Sequence, residues 1–183
     1  FTAAMQARFE SGLPDAAFLD ASGLIERIRT IKSAPEIAVL RAVGAITATS
    51  LRAGIDLLGE GVTDREIGAV MTATAIREGG EPMPQGPFVT FGPRSFRAHS
   101  TWTGDPIPRG ALVNTEMAAT VDRYHVPCFR VSVIGPPSAD LARFHAASEK
   151  GLEAALSQIE PGMTSDRADG IMREAIEEAG CGA

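Results

Sequence analysis

Residues 61–80 read GVTDREIGAVMTATAIREGG, and residues 162–181 read GMTSDRADGIMREAIEEAGC. The two stretches align without a gap when the chain is shifted by 101 residues against itself. In each, a threonine that can cap a helix follows a glycine, and a second glycine stands where that helix would end. Two unrelated amphipathic helices would match in their apolar positions but not in these glycines and threonines. We therefore predict an internal duplication of about residues 41–80 and 142–181.

The helix that precedes the first copy has its own start signal. Residues 33–36, Ser-Ala-Pro-Glu, have the pattern of a capping box with proline near the first helical position. Apolar residues then recur every three to five positions, which predicts one long helix that ends near Gly59. These residues are Ile37, Leu40, Val43, Ile46, Leu51, Ile55 and Leu58. A second helix is predicted from the Thr63 cap to the glycine pair at residues 79–80.

Strands are predicted after the first helix pair. Residues 81–87 are rich in proline and glycine and therefore predict a loop. Apolar and β-branched residues then predict strands at residues 88–91, 111–117 and 124–134, the last two joined by a turn near Asp122. Helices followed by strands make a unit of mixed α/β (α+β) class. The second copy has its helices but no strands, so we expect the sequence to be truncated.

Composition restricts the partners. A net charge of −6 and 44% hydrophobic side chains over 183 residues suit one soluble globular domain, and the scattered basic residues predict no nucleic acid partner. The longest uncharged stretches, such as residues 42–51, are shorter than the roughly 18 apolar residues of a membrane span, so no membrane partner is expected. Cys128 and Cys181, without a secretory signal, predict free thiols and a cytoplasmic protein.

Further stretches carry a resemblance to a known family. Residues 19–33, LDASGLIERIRTIKS, resemble the junction between the N-terminal and catalytic domains of the aminopeptidase, prolidase and creatinase superfamily. Residues 91–93, Phe-Gly-Pro, with Ala98 and His99 resemble that family's "SGP…PH" stretch. Together with the duplication, the resemblance extends over about residues 18–180.

The resemblance implies a fold and a domain organisation. It predicts the first half of a pita-bread fold, in which helices pack on a curved, antiparallel-rich sheet and two halves are related by a pseudo-twofold axis. Residues 1–30 would be the tail of a lost N-terminal domain with its linker. Residues 31–183 would be an incomplete catalytic-type domain. The resemblance also implies a homodimer, with a neighbour's N-terminal domain closing the pocket.

One departure from the family pattern concerns metal binding. Metal-dependent members carry an Asp, a second Asp eleven residues later, and an Arg-Thr three residues beyond that. Counting back from Arg130 places Pro127 at the second Asp and Glu116 at the first. Because proline has no side-chain donor and a two-metal site needs carboxylates, we expect no metal and no cofactor. Residues 123–130, RYHVPCFR, resemble instead the metal-independent branch that contains creatinase and ectoine hydrolase.

Two residues are the principal chemical candidates. By the resemblance, His99 lies beside the scissile bond, where its imidazole could act as a general base or proton shuttle near neutral pH. Glu116 could bind a guanidinium, amidinium or ammonium group through charge-assisted hydrogen bonds. A strand glutamate that faces solvent is an equally open interpretation of Glu116.

Further substrate-binding residues are expected around these two. His125 sits where creatinases place a substrate-contacting tyrosine, and it should face the pocket if Tyr124 faces the core. Arg130 either contacts substrate or pairs structurally with a carboxylate. We also expect Phe88 and Arg97 at the substrate.

The sequence therefore predicts a hydrolase that cleaves a C–N bond in a small nitrogenous substrate without a di-metal centre. Two alternatives stay open. One is an Xaa-Pro aminopeptidase or dipeptidase whose altered site holds Mn, Co, Fe or Zn. The other is a non-catalytic pita-bread module that binds a peptide or ligand.

Overall fold

The computed structural model describes residues 2–97 and 99–182, and Ala98 of the family resemblance lies outside them. The helices are α1 (Ala3–Gly12), α2 (Leu24–Thr30), α3 (Ala34–Asp56), α4 (Asp64–Arg77), α5 (Ala139–Gln158) and α6 (Ser165–Glu178), and the strands are β1 (Phe88–Phe91), β2 (Leu112–Val121) and β3 (Tyr124–Val133). A short 3-10 helix, Gly92–Phe96, follows β1 directly. The predicted helices and strands are confirmed, and β2 is longer than expected.

Helices α3 and α4 form the first pair, and each begins at a capping box. Ser33 and Glu36 cap α3, as the sequence predicted, and Thr63 and Glu66 cap α4 in the same way. In each box the threonine or serine oxygen accepts from a helix N–H while the glutamate accepts from the backbone N–H of the cap residue. Local sequence alone therefore fixes where both helices start.

The strands form an antiparallel sheet in the order β1, β2, β3. The register between β2 and β3 is unbroken along both strands, so Pro127 introduces no bulge. One face of the sheet packs against α3 and α4, and alternate residues of the strands point into that interface. The core residues are Leu51, Ile67, Met71, Ala75, Val89, Ile107, Val113, Met117 and Ile134. Helices packed on an antiparallel sheet confirm the predicted fold class.

Gly54 allows the two helices of the first pair to approach closely. A Cβ at this position would lie 2.5 Å from Cγ of Met71, so any larger residue would require the Met71 side chain to move. Thr47 lies seven residues before Gly54 on the same helix. Its hydroxyl donates to the carbonyl oxygen of Val126 and accepts from the N–H of Ala119. Helix α3 is therefore held both to α4 and to the backbone of β2 and β3.

Helix α3 is more apolar than the sequence analysis expected of any stretch in this chain. It has 23 residues and a window of mean hydropathy 1.2, which is long and apolar enough to cross a membrane by length and composition. A buried core helix passes the same test. Of that window 28% is buried, and its buried residues Val43, Thr47 and Leu51 lie on the side that packs against the sheet and α4.

Helices α5 and α6 pack against each other as the second pair. Thr164 caps α6 through its side chain as Thr63 caps α4. Gly79 and Gly180, which follow these two helices, both have positive φ angles, 94° and 75°. The features from which the duplication was predicted thus recur in the folded chain at the same spacing.

Helices α1 and α2 were not predicted. They lie within residues 1–30, and neither buries a residue within the described chain. Both carry apolar residues four positions apart, Met5 and Phe9 in α1 and Leu24 and Ile28 in α2, but the sequence analysis assigned this region to a domain tail and linker and not to helices. The boundary between residues 30 and 31 stays a prediction.

Candidate active site

The sheet face that α3 and α4 do not cover, called here the open face, carries the candidate site. A pocket of about 280 Å³ lies on it. Glu116 stands on β2, and the strand register places Phe88 of β1 on one side of it and Phe129 of β3 on the other. The pocket residues used below are Phe88, Arg97, His99, Asn114, Glu116 and Phe129. We call this cavity the open-face pocket.

His99 enters the open-face pocket from the loop after the 3-10 helix. Its ring stacks on Phe88, with centroids 4.6 Å apart and planes inclined by 26°. Its Nε2 lies 3.7 Å from Oε1 of Glu116, a distance beyond a normal hydrogen bond but close enough for the two groups to interact electrostatically. The side chains of His99 and Glu116 are 54% and 29% exposed, so a ligand can reach both.

The backbone of His99 is itself unusual. Its φ angle is 54°, in the left-handed region that residues with a Cβ seldom adopt. Such a conformation persists only where the surrounding structure enforces it, and it occurs often at functional sites. The loop thus holds His99 in one defined orientation above Phe88.

The structure brings Phe88, Arg97, His99 and Glu116 together in the open-face pocket, as the sequence analysis expected. It does not bring Arg130 there. Arg130 donates to Sγ of Cys128 and to the carbonyl oxygen of Phe129, on the opposite side of β3 from the Phe129 ring. These contacts place Arg130 outside the pocket, and neither of them is the carboxylate pairing that the sequence analysis offered as the alternative. The catalytic and binding roles of the four clustered residues stay predictions.

His125 lies apart from this cluster. It lines a groove of about 590 Å³ beside the β2–β3 hairpin, together with residues of α2 and the start of α3. Phe129 stands four positions further along β3, which corresponds to roughly 13 Å along the strand. In this groove the hydroxyl of Tyr124 already donates to Oε1 of Glu36 at 2.7 Å. We favour the smaller open-face pocket as the site because it combines an imidazole, a carboxylate and aromatic walls.

Asp64, the first residue of α4, is a buried charge that the sequence analysis missed. It is 0% exposed and accepts hydrogen bonds from the backbone N–H groups of Thr103 and Gly104, both at 2.8 Å. Nη1 of Arg94 lies 3.3 Å from its Oδ2. Burial opposes ionisation of Asp64, but these hydrogen bonds outweigh it and lower the pKa of the carboxyl.

In the sequence, Asp64 stands directly after the Thr63 cap, where an acidic residue is usual because it favours the helix dipole. The position of Asp64 at the start of α4 therefore gave no reason to look for other partners. Those partners lie 30 to 40 residues further along the chain. No periodic or motif signal would have connected them.

Residues 38–183 match the sequence model of metallopeptidase family M24. The chain belongs to this family. Its fold is therefore the half of a pita-bread fold that the sequence resemblance implied.

Several curated relatives cover most of this chain. An uncharacterized hydrolase/peptidase of Sinorhizobium fredii, y4tL, is 33% identical over 94% of the chain and 45% of its own length. An Xaa-Pro dipeptidase of Pyrococcus furiosus is 28% identical over 87% of the chain and 46% of its own length. An ectoine hydrolase of Halomonas elongata is 28% identical over 82% of the chain and 40% of its own length. The chain thus spans about half the length of the curated relatives it matches.

Solved structures agree with this assignment. The crystal structure of X-Pro aminopeptidase from Thermotoga maritima superposes with a TM-score of 0.90 and 26% identity, over 98% of this chain and 50% of that one. The arrangement of helices and sheet is accordingly that of a known hydrolase fold.

The family name implies metal ions, and such ions would need carboxylates next to Glu116 on the open face. The cross-strand neighbours of Glu116 are Phe88 and Phe129, and its diagonal neighbour Pro127 stands opposite Ala118. None of Phe88, Phe129 and Pro127 has a side-chain donor atom. Within residues 2–97 and 99–182, no three His, Cys, Asp or Glu side chains form a group that could hold a metal ion. The expectation that the protein binds no metal stays a prediction, since the chain spans about half the length of the relatives it matches.

Proposed function

We propose that the complete protein is a hydrolase that cleaves a C–N bond in a small nitrogenous substrate without a di-metal centre. The observation that carries this proposal is the pairing of His99 with Glu116 between the rings of Phe88 and Phe129. Membership of family M24 supports hydrolysis, and the absence of carboxylates next to Glu116 on the open face supports chemistry that needs no pair of metal ions.

In this proposal Glu116 binds the cationic part of the substrate. Its carboxylate stands between Phe88 and Phe129, and a guanidinium, amidinium or ammonium group there would gain a charge-assisted hydrogen bond. The faces of the two aromatic rings attract cations as well. A substrate with a delocalised, planar cation suits such a site best, because it can donate to the carboxylate and stack on a ring.

His99 acts as the general base. Its neutral imidazole accepts a proton from water as the water oxygen attacks the substrate carbon, and the imidazolium then returns that proton to the departing nitrogen. Glu116, 3.7 Å from Nε2, stabilises the imidazolium while it is charged. Stacking on Phe88 fixes the plane of the ring during both transfers.

The test is an activity assay of the complete protein with three substrate classes: cyclic amidines of the ectoine type, guanidino acids of the creatine type, and Xaa-Pro dipeptides. We expect turnover of one of the first two classes, with the same rate before and after treatment with a chelator. Glu116→Gln should raise KM by about tenfold or more, since a neutral amide replaces the charged partner. Hydrolysis restricted to Xaa-Pro dipeptides and dependent on added metal would overturn the proposal.

Xaa-Pro peptidase activity is the second candidate, and the comparisons favour it as strongly as the first. The Pyrococcus furiosus Xaa-Pro dipeptidase and the Halomonas elongata ectoine hydrolase are equally similar to this chain, at 28% identity. Under this alternative Glu116 or His99 would contribute to an altered metal site. A chelator that abolishes dipeptide hydrolysis, and Mn or Co that restores it, would establish this activity.

A further inference from the structure

We propose that Asp64 is a positioning residue for His99, holding in place the loop that presents the imidazole to the open-face pocket. The inference rests on the proposed function, because it concerns the residue to which that proposal assigns the base. Asp64 would then have two roles: a favourable charge in the first turn of α4, and an anchor for the loop that carries His99.

The first step is where the hydrogen bonds of Asp64 go. Oδ1 accepts from the N–H of Gly104, and Oδ2 accepts from the N–H of Thr103, both at 2.8 Å. The hydroxyl of Thr103 lies 3.3 Å from Oδ2. These bonds hold Thr103 and Gly104, which stand four and five residues after His99. Gly104 suits the contact because it has a φ angle of 81° and because a Cβ there would lie 2.9 Å from the guanidinium of Arg65.

The second step is that Asp64 also holds the chain before His99. Arg94 belongs to the 3-10 helix that precedes the loop, and its Nη1 lies 3.3 Å from Oδ2 of Asp64. The other end of the same guanidinium donates to the carbonyl oxygen of Thr101. One buried carboxylate and one arginine thus connect the chain on both sides of His99.

A further contact joins the same loop to the residue that precedes β1. Nε1 of Trp102 donates to the carbonyl oxygen of Pro87 at 3.1 Å, which attaches the loop to the residue before Phe88. His99 stacks on the ring of Phe88. The loop of residues 101–104 is therefore bonded both to Asp64 and to the residue before Phe88. The positive φ angle of His99 lies between these anchors.

Asp64 and Glu66 form a natural comparison. Both are acidic residues in the first turn of α4. Glu66 bonds only to Thr63 among the contacts that the structure records, and it caps the helix. Asp64 directs its carboxylate to residues of the loop. Removing Glu66 should weaken α4 without moving His99, whereas removing the charge of Asp64 should displace His99.

The experiment uses the complete protein with Asp64→Asn and Glu66→Gln, measured by steady-state kinetics, thermal unfolding and NMR of histidine side chains. The His99 resonance is assigned by its absence in His99→Gln. We expect Asp64→Asn to move the His99 resonance and to lower kcat roughly 10- to 100-fold while KM changes little, since misplacement of a catalytic group acts mainly on the chemical step. Glu66→Gln should lower the Tm but leave kcat and the His99 resonance unchanged.

The resonances of His125 and His145 are internal controls and should not move in either variant. If Asp64→Asn does not fold, Arg94→Met tests the same linkage, because it breaks the connection to Thr101 and leaves the backbone bonds of Asp64 in place. An unmoved His99 resonance in a folded Asp64→Asn or Arg94→Met protein would overturn the inference. A moved resonance in a protein that hydrolyses no C–N substrate would support the positioning role and refute the proposed function.

Discussion

His99 and Glu116 have a matched pair on the surface of the same chain. On α5, Nε2 of His145 lies 3.5 Å from Oε1 of Glu149, close to the 3.7 Å of the pocket pair. Both pairs are accessible to solvent, but the α5 pair stands on a helix surface and lacks the aromatic walls of the pocket. Comparing the loss of activity on replacing each histidine therefore distinguishes the general effect of removing a histidine next to a glutamate from the effect of removing one in the pocket.

Replacement of His99 tests its role as the base. His99→Gln in the complete protein should lower kcat by roughly 10²- to 10⁴-fold, the usual contribution of general base catalysis. The Tm should change by no more than about 2 °C, because the side chain is 54% exposed and substitutions at exposed positions cost little. Kinetics and thermal unfolding of His99→Gln and His145→Gln measure both quantities. The role of His99 would be wrong if the two variants turned over substrate at equal rates.

At the scale of elements, Gly68 couples α4 to the loop that carries His99. A Cβ at Gly68 would lie 2.8 Å from the ring of Trp102. Gly68→Ala should push the indole away, break its hydrogen bond to Pro87 and destabilise the fold by about 1–3 kcal/mol, as overpacking usually does. Denaturant unfolding followed by circular dichroism measures the loss.

Gly170 in α6 provides the matched control for that prediction. It also lies inside a helix, but within residues 2–97 and 99–182 no atom would lie within 4 Å of a Cβ there. Gly170→Ala should therefore stabilise the protein by about 0.5–1 kcal/mol, because alanine favours a helix over glycine. Equal destabilisation by both substitutions would show that the contact with Trp102 is not the cause.

The cap of α3 makes stability depend on pH. The N–H of Ser33 lowers the pKa of Glu36 most, and the hydroxyls of Tyr124 and Ser33 lower it further, to about 2. Because the pKa in the folded state lies below the ordinary value of 4.5, the charged carboxylate adds stability that is complete above pH 4.5. That stability is lost as the pH falls from 4.5 towards 2.

Glu36→Gln should therefore lower the Tm by a few degrees at pH 7 and by less at pH 3. Thermal unfolding at the two pH values measures the difference. Tyr124→Phe, which removes the phenol but keeps the bond from Ser33, should lose less than Glu36→Gln at pH 7. A difference between wild type and Glu36→Gln that stays constant from pH 7 to pH 3 would contradict this account.

Capping signals and apolar periodicity predicted α3, α4 and the three strands because these depend on neighbouring residues. Helix α1 was missed because Thr2 caps it without a glutamate three residues later and only Met5 and Phe9 mark an apolar spacing. The clustering of His99 with Glu116 followed from the family resemblance rather than from spacing. Asp64 could not be found by either route, because its partners are fixed only when the folded chain brings α4 next to residues 94–104.

At the scale of the whole molecule, the two proposed functions differ in whether the site holds metal ions. Family M24 is named for metallopeptidases, while the strand positions beside Glu116 hold Phe88, Phe129 and Pro127, whose side chains cannot bind a metal. A family fold can support a different reaction when the site residues change. The metal content of the complete protein therefore decides between the two proposed functions.

We expect the complete protein, purified without chelator and dialysed once, to contain far less than one transition ion per chain by plasma mass spectrometry. Two carboxylates on adjacent strands normally share the charge of two cations, and here Pro127 supplies neither charge nor donor atom. A relative that carries both aspartates, purified in the same way, is the control that the procedure preserves bound metal. One or two ions per chain in this protein would instead make Glu116 and His99 the suspected ligands, and Xaa-Pro dipeptides would then become the first substrates to assay.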